Sequence, residues 1–394
     1  MKTLARITIA FVACAAVAYA QTNWTPDLQL KVKAVGAARV SPDGRRVVYT
    51  VNEAVMTADR SEFVSQIWMA TTDGKENIQI TFGDKSSSNP KWSPDGNWIA
   101  FTSSRKENKE NLYLLRAGGG EAEPLTDIKS GVADFEWSPD GRWIAYVMTD
   151  PKTEEEEKND KGKNDFRWVN ENVKMARLYV IPVARDADGK RMPRRLTTED
   201  YTVSDMDWSP DGSRIVFSHT RSQVANDWTT ADVSMVEVAG GKVTLFAGTP
   251  AAESTPTFSP DGQSIAIVVS DNPPRWSGSN MIEIFPAGGG QPKALTASLD
   301  GQPNIAGWSA DGKRIYFSEA KGTGTQVYAI DVATNRIEEI KATPAVYGAL
   351  NLNRSGHHER QDCSQRMHHP LAGEAFTNTA LVVGILRLKL RHRR

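Results

Sequence analysis

Apolar positions along this chain fall in short β-branched and aromatic runs, set in pairs on either side of a tight polar turn, and the arrangement keeps returning. Lys91-Trp92 leads into one turn and Trp98-Ile99-Ala100-Phe101 leads out of it; Glu136-Trp137 and Trp143-Ile144-Ala145-Tyr146-Val147 flank the next. Paired runs of this kind predict antiparallel hairpins. The turn reads Ser41-Pro42-Asp43-Gly44, is repeated at 93–96, 138–141, 209–212 and 259–262, and returns once more as Ser309-Ala310-Asp311-Gly312. Proline presets φ at the second position, serine and aspartate side chains bond the local backbone, and glycine accepts the positive φ that follows.

Each unit continues with a third run, such as Leu112-Tyr113-Leu114-Leu115 or Val327-Tyr328-Ala329-Ile330. A glycine-containing connection and a fourth short run follow, closing on Leu-Thr at 125–126, 196–197 and 295–296. Four strands per unit at a near-constant period predict an all-β fold, a β-propeller of four-stranded blades. Successive turn serines stand 52, 45, 71, 50 and 50 residues apart, so the third interval holds an insertion, placed at 150–175 after the second strand of blade three. The expected blades are 36–82, 88–127 and, for the rest, units starting near 132, 203, 255 and 304. Trp92, Trp137, Trp208 and Trp308 each stand one residue before a turn, with Phe258 in that place in blade five. An aromatic repeated at one phase predicts packing between blades. A seventh unit starts at 346–352 and reaches Asn353-Arg354-Ser355-Gly356 in phase, so the expected ring spans 36–356, with six complete blades and a seventh begun.

The ends have a different character. Lys2 and Arg6, the apolar stretch 7–17 and Ala18-Tyr19-Ala20 predict a secretory signal peptide over 1–20, cleaved after Ala20. Phe11-Val12-Ala13 is a poor approach to Cys14 for a lipoprotein site. Residues 21–35 form a lead in which Thr25 caps a short helix with Pro26 at its first position. From His357 to Arg394 the repeat is lost: five of the six histidines fall there and no second-strand run follows the turn. This tail is expected to be the product of a shifted reading frame after codon 356. The alternative is a real extension whose 381–390 run packs on the ring or on a membrane surface.

Charge and chemistry narrow the function. With 47 basic and 48 acidic residues the formal net charge is −1, which offers no electrostatic footprint for nucleic acid. Beyond the signal peptide no run reaches the roughly 18 apolar residues of a membrane span, so the expected location is periplasmic or secreted. Cleavage would leave Cys363 alone, without an internal disulfide partner. Glu154 to Glu157, interleaved with Lys158, Lys161 and Lys163, read as a solvated loop; capture of a cationic group such as a peptide amino terminus is the functional alternative. No Gly-x-Ser-x-Gly nucleophile elbow occurs. Gly118-Gly119-Gly120 and Gly288-Gly289-Gly290 join third to fourth strands, so they are turns rather than phosphate cradles. His357, His358, Cys363, His368 and His369 have zinc-ligand types, but on an irregular tail with no carboxylate support. No catalytic, cofactor-binding or metal-binding residue is assigned, and no cofactor is expected.

With the turns, the flanking tryptophans and the Leu-Thr endings in view, the chain from about 25 to 356 resembles the amino-terminal propeller of the prolyl oligopeptidase family of serine peptidases. The acylaminoacyl-peptidase and dipeptidyl-peptidase branch is the most similar. TolB-type periplasmic propellers share the repeat but carry a separate preceding domain, for which the lead leaves no room. In the peptidase family the propeller covers the active site of a following α/β-hydrolase domain and restricts access to small peptides. The resemblance therefore implies a non-catalytic portion of an exported serine peptidase, inactive alone and truncated before its hydrolase domain, since the 38 tail residues are too few for one. Its partners would be peptides or a protein at the channel face. A free-standing TolB-like interaction scaffold is the second reading.

Overall fold

The computed structural model describes residues 25–106, 109–164 and 171–340, together with the backbone of 361–364 and 384–387. The signal peptide, Phe166-Arg167-Trp168, the seventh unit at 346–356 and the five tail histidines lie outside the described residues.

Six four-stranded antiparallel sheets follow one another along the chain, each with its strands in sequence order, and form a six-bladed propeller. Blade one holds β1 (Ala34–Val40), β2 (Arg46–Met56), β3 (Ser61–Thr71) and β4 (Asn77–Gln79). Blade two holds β5 (Ser87–Trp92), β6 (Trp98–Lys106), β7 (Lys109–Arg116) and β8 (Glu123–Pro124). Blade three holds β9 (Val132–Trp137), β10 (Trp143–Thr149), β11 (Ala176–Pro182) and β12 (Arg194–Arg195). The remaining blades run from β13 (Thr202–Trp208) to β16 (Val243–Ala247), from β17 (Glu253–Phe258) to β20 (Lys293–Ala294), and from β21 (Asn304–Trp308) to β24 (Ile337–Glu339). Two further strands, β25 (Gln361–Ser364) and β26 (Gly384–Arg387), pair with each other in the tail. Before the ring, Thr25 Oγ1 accepts from the Leu28 amide and starts helix α1 (Pro26–Leu30), as the cap signal predicts.

The repeated turn works the same way in every blade. In blade two the Ser93 hydroxyl donates to Asp95 (2.5 Å) and accepts from the Trp98 amide (2.9 Å), while Asp95 also accepts from the Asn97 amide (3.0 Å). Blade six keeps this network through Ser309 and Asp311 although alanine replaces proline. The turns also interlock. Gly262 sits at φ +69°, and a Cβ there would lie 3.3 Å from Pro210 Cδ of the preceding turn; Gly96, Gly141, Gly212 and Gly312 each face the preceding proline in the same manner. All six turns thus lie on one face of the ring.

The repeated tryptophans pack between blades and do a second job. Their indole N–H groups donate to a carbonyl on the blade before: Trp92 to Arg39 (3.1 Å), Trp137 to Lys91 (3.2 Å), Trp208 to Glu136 (3.4 Å) and Trp308 to Thr257 (3.0 Å). Phe258 has no such donor, and there the cross-blade bond is reversed in kind: Asp207 of blade four accepts from the Phe258 backbone amide at 2.7 Å. The carboxylate thus keeps a hydrogen bond between blades four and five at the place where the indole donor is missing.

Five apolar clusters join the six blades in order, each filled from facing sides of two neighbours. Fully buried Phe101, Phe135, Phe217 and Phe317 anchor four of them, each worth about 1.5–3 kcal/mol in transfer free energy. The faces these clusters leave over, Val47 and Tyr49 on blade one and Tyr316 and Ala329 on blade six, are also apolar and buried.

The chain between β10 and β11 of blade three holds more than a loop. Helix α2 (Glu154–Lys161) starts with a capping box in which Thr153 and Glu156 bond each other's backbone amides. The acidic run at a helix amino end, followed by lysines, complements the helix dipole. Glu156 also pairs with Lys174 at 2.7 Å, so this part of the run is internally satisfied.

Candidate interaction face

A four-stranded antiparallel blade has two ends. The turns between strands one and two and between strands three and four share one end; the hairpin between strands two and three and the link to the next blade share the other. The Ser-Pro-Asp-Gly turns mark the first, here the turn face, which also holds Gly118–Gly120 and Gly288–Gly290 between their third and fourth strands. The second, the hairpin face, holds the α2 insertion.

The hairpin face carries six of the twelve exposed large apolar side chains among the described residues. Met56 and Phe63 flank the tip of the blade-one hairpin, whose strands run 11 residues each against 7 in blade three, and Phe82 lies on the adjoining inter-blade link. On blades four and five, Val224 and Trp276 stand on hairpin loops and Leu299 on a link. Phe82, Trp276 and Leu299 are 70%, 73% and 77% exposed. Trp276 meets Trp228 edge-on, with centroids 5.3 Å apart at 58°. Arg221 holds Asp227, and Arg275 holds Asp271, at the foot of the two loops. Apolar surface of this kind, rimmed by charge, marks protein-contact regions.

First strands of successive blades bond directly and so converge on the ring axis. Lys91 of blade two reaches Asp134 (3.0 Å), the Phe135 carbonyl (2.5 Å) and Glu136 (2.8 Å) of blade three, and Asn89 reaches Asp134 (3.1 Å). These strands are bulged, with left-handed φ at Ala37 (45°), Asn89 (50°) and Thr255 (48°). A bulge re-aims the side chains beside it. Around the axis, Arg39 and Lys91 stand on blades one and two, and Asp134, Glu136 and Asp205 on blades three and four.

His219 Nε2 lies 2.8 Å from Ser234 Oγ, but Ser234 is buried within its sheet and the imidazole is stacked on Tyr201 at 4.0 Å. Burial holds His219 down, to about 4, against a weaker opposing pull from Glu199. The pair is a core contact with no approach for a substrate. Glu253, fully buried at the blade-five start, is pushed up by burial to about 7, although Thr249 donates to it twice.

A family model described as "TolB beta propeller domain" matches residues 28–172 and 165–358. The chain belongs to this family. Within it, the chain is 27% identical to Dipeptidyl-peptidase 5 of Porphyromonas gingivalis over 338 residues, 80% of this chain and 49% of that protein. It is 33% identical over 101 residues to the Tol-Pal system protein TolB of Francisella tularensis, 26% of this chain and 22% of that one. The chain thus spans less than half the length of these relatives. Among solved structures it is similar to the acylaminoacyl peptidase of Pyrococcus horikoshii, with a TM-score of 0.61 at 16% identity over 87% of this chain and 51% of that one. The β-propeller domain of the Trilobed protease from Pyrococcus furiosus gives 0.55 at 16% identity, covering 86% and 91%. The resemblance to peptidase propellers is confirmed at the level of fold and relatives, and TolB stands beside them.

Sequence reasoning missed three features. Neither the apolar hairpin face nor the Thr81 copy of the blade ending was singled out, although Thr81, like Thr126 and Thr197, accepts a third-strand amide on its hydroxyl. Thr296 does not repeat this bond; its amide donates to Asn335 instead. The Asp207 exchange carried no separate signal, because Glu136 holds the same place before a blade that has tryptophan.

Proposed function

We propose that this chain is the non-catalytic propeller portion of an exported serine peptidase, gating peptide access to a catalytic domain seated on the hairpin face. The observation that carries this reading is the extent of the likeness to Dipeptidyl-peptidase 5: among the curated relatives it runs through 80% of the chain, whereas the match to the Francisella TolB covers 26%. The one-sided apolar face supports it, because a ring presenting Phe63, Phe82 and Trp276 on one side is built to meet a folded surface there. On this reading the tail from His357 onward results from a shifted frame. A second reading, a free-standing periplasmic scaffold, is favoured by the family model itself.

Two measurements test the proposal. The purified chain should neither hydrolyse dipeptidyl or acyl-peptide chromogenic substrates nor label with a fluorophosphonate; stoichiometric labelling of one serine would overturn the non-catalytic reading. The nucleotide sequence beyond codon 356, read in its other two frames, should resume a strand run and reach a Gly-x-Ser-x-Gly. If neither frame does so, the truncated-peptidase reading falls, and recovery of one stoichiometric periplasmic protein on the ring would establish the scaffold.

A further inference from the structure

The turn face carries a departure from the repeat that neither packing nor the proposed function uses. Five residues after each turn serine, the start of the second strand faces a fixed position at the end of the third. Those pairs are Arg46–Thr71, Trp143–Pro182, Arg214–Glu237, Ser264–Pro286 and Arg314–Asp331 in blades one, three, four, five and six. Where an arginine occupies the first place in blades four and six, an acid stands opposite. Blade two has Trp98 opposite Arg116, a cation with no acid across from it. In blade one Arg46 faces Thr71, so the two neighbouring blades one and two each carry a cation here with no acid opposite. In a repeat array the shared residues build the scaffold, and two adjacent uncompensated cations need another account.

The surroundings supply one. Arg116 stacks on Trp98, its guanidinium carbon 4.4 Å from the ring centroid, and among the described residues the guanidinium makes no hydrogen bond or ion pair. Stacking on the indole fixes the plane of the fork and leaves its in-plane N–H groups pointing outward. Beside it opens a cleft of about 590 Å³ lined by Arg46, Asn97, Trp98, Arg116 and the glycines 96, 118 and 119, with no acidic side chain in its wall. Arg46 is held in place by the Ala117 carbonyl (3.1 Å) and by the Trp92 ring (5.0 Å), which leaves further N–H groups to face the cleft. The nearest turn carboxylate, Asp95, is occupied by Ser93 and by the amide and side chain of Asn97. Above Gly118 and Gly119 a Cβ would meet nothing within 4 Å, so the backbone there is open to a ligand.

We infer that this cleft between blades one and two binds an oxyanion, a carboxylate or phosphate group, held by the Arg116 fork with Arg46 as the second cation. Planar bidentate capture is what a guanidinium does best, and a volume of this size admits a group of several heavy atoms.

Calorimetric titration of the whole chain with inorganic phosphate, and separately with an acetylated tripeptide bearing a free carboxylate and with its amide, tests the site. Saturable one-site binding is expected for phosphate, for the carboxylate peptide over its amide, or for both, which also identifies the source. R116Q should weaken it about tenfold or more, the loss expected for a charged hydrogen bond, and R142A, an exposed arginine on the same face one blade away, should not. No saturable binding with any probe, or an equal loss in R142A, overturns the inference. Should R116Q fail to fold, ligand-induced shifts of the Arg116 Nε–H and Trp98 indole N–H resonances in the unaltered protein decide it: shifts support the site, their absence removes it.

Discussion

The two faces of this ring obey different rules. On the turn face six copies of one hydrogen-bond network stand in register, five of their glycines each against the previous proline, and a change in one copy is absorbed, as alanine for proline is in blade six. On the hairpin face no two blades agree: blade one extends its hairpin, blade three inserts α2, and blades four and five bring Trp228 and Trp276 together. The contrast teaches where selection for folding stops. Residues that every blade needs are repeated, because each interface is the same packing problem. Residues that only one blade carries answer to something outside the ring.

The contrast is broken most severely from the turn side. Trp137→Ala removes a buried indole and its bond to the Lys91 carbonyl, and should cost about 3–5 kcal/mol in urea unfolding. A loss below about 1 kcal/mol would mean that blades two and three do not unfold together with the rest.

Next in size is a pH effect at the blade four–five junction. Glu253, raised in the fold to about 7, favours folding while it is protonated, and that contribution is lost as pH rises from about 4.5 to 7. His219, lowered to about 4, opposes it: the unfolded chain takes the proton first, so stability is lost as pH falls from 6.5 toward 4. Between about pH 4.5 and 6.5 the two slopes cancel. Glu253→Gln should therefore expose a loss of stability toward acid, and His219→Gln a loss toward neutral pH, each by up to about 3 kcal/mol across its window. Parallel profiles for the two variants would show that neither group governs the slope.

Gly262→Ala forces a side chain into left-handed φ against Pro210 and should cost about 1–2 kcal/mol, whereas Gly189→Ala, at φ +75° in open space, should cost only the conformational part. Equal effects would show that interlocking of the turns adds nothing. Smallest of all, Phe63→Ser and Trp276→Ser should each change stability by no more than about 0.5 kcal/mol, because both side chains are exposed. A destabilisation above about 1.5 kcal/mol in either variant would mean that the hairpin face belongs to the ring's own packing and is not reserved for a partner.

Strand order, blade count within the described residues and the capped helix at Thr25 were all legible in the chain. Each depends on local chemistry, proline and glycine in turns and alternating apolar runs, that reads the same wherever it occurs. The acidic run at 154–157 was misjudged as loop alone because composition registers charge but not the reciprocal bonds of Thr153 and Glu156, which need the helix to exist.

Other features belong to tertiary structure. Whether Lys91 meets Asp134, Glu136 or water depends on how bulged first strands of two blades approach the axis, some 45 residues apart in sequence. That Arg116 is unpaired depends on which residue faces it across a strand pair and which wall closes beside it. The clustering of Phe63, Phe82 and Trp276 on one face follows from the antiparallel winding of each blade combined with its repetition around a ring. A periodic sequence specifies the unit, while the closure of units on one another decides which of their ends face each other and which are left for a partner.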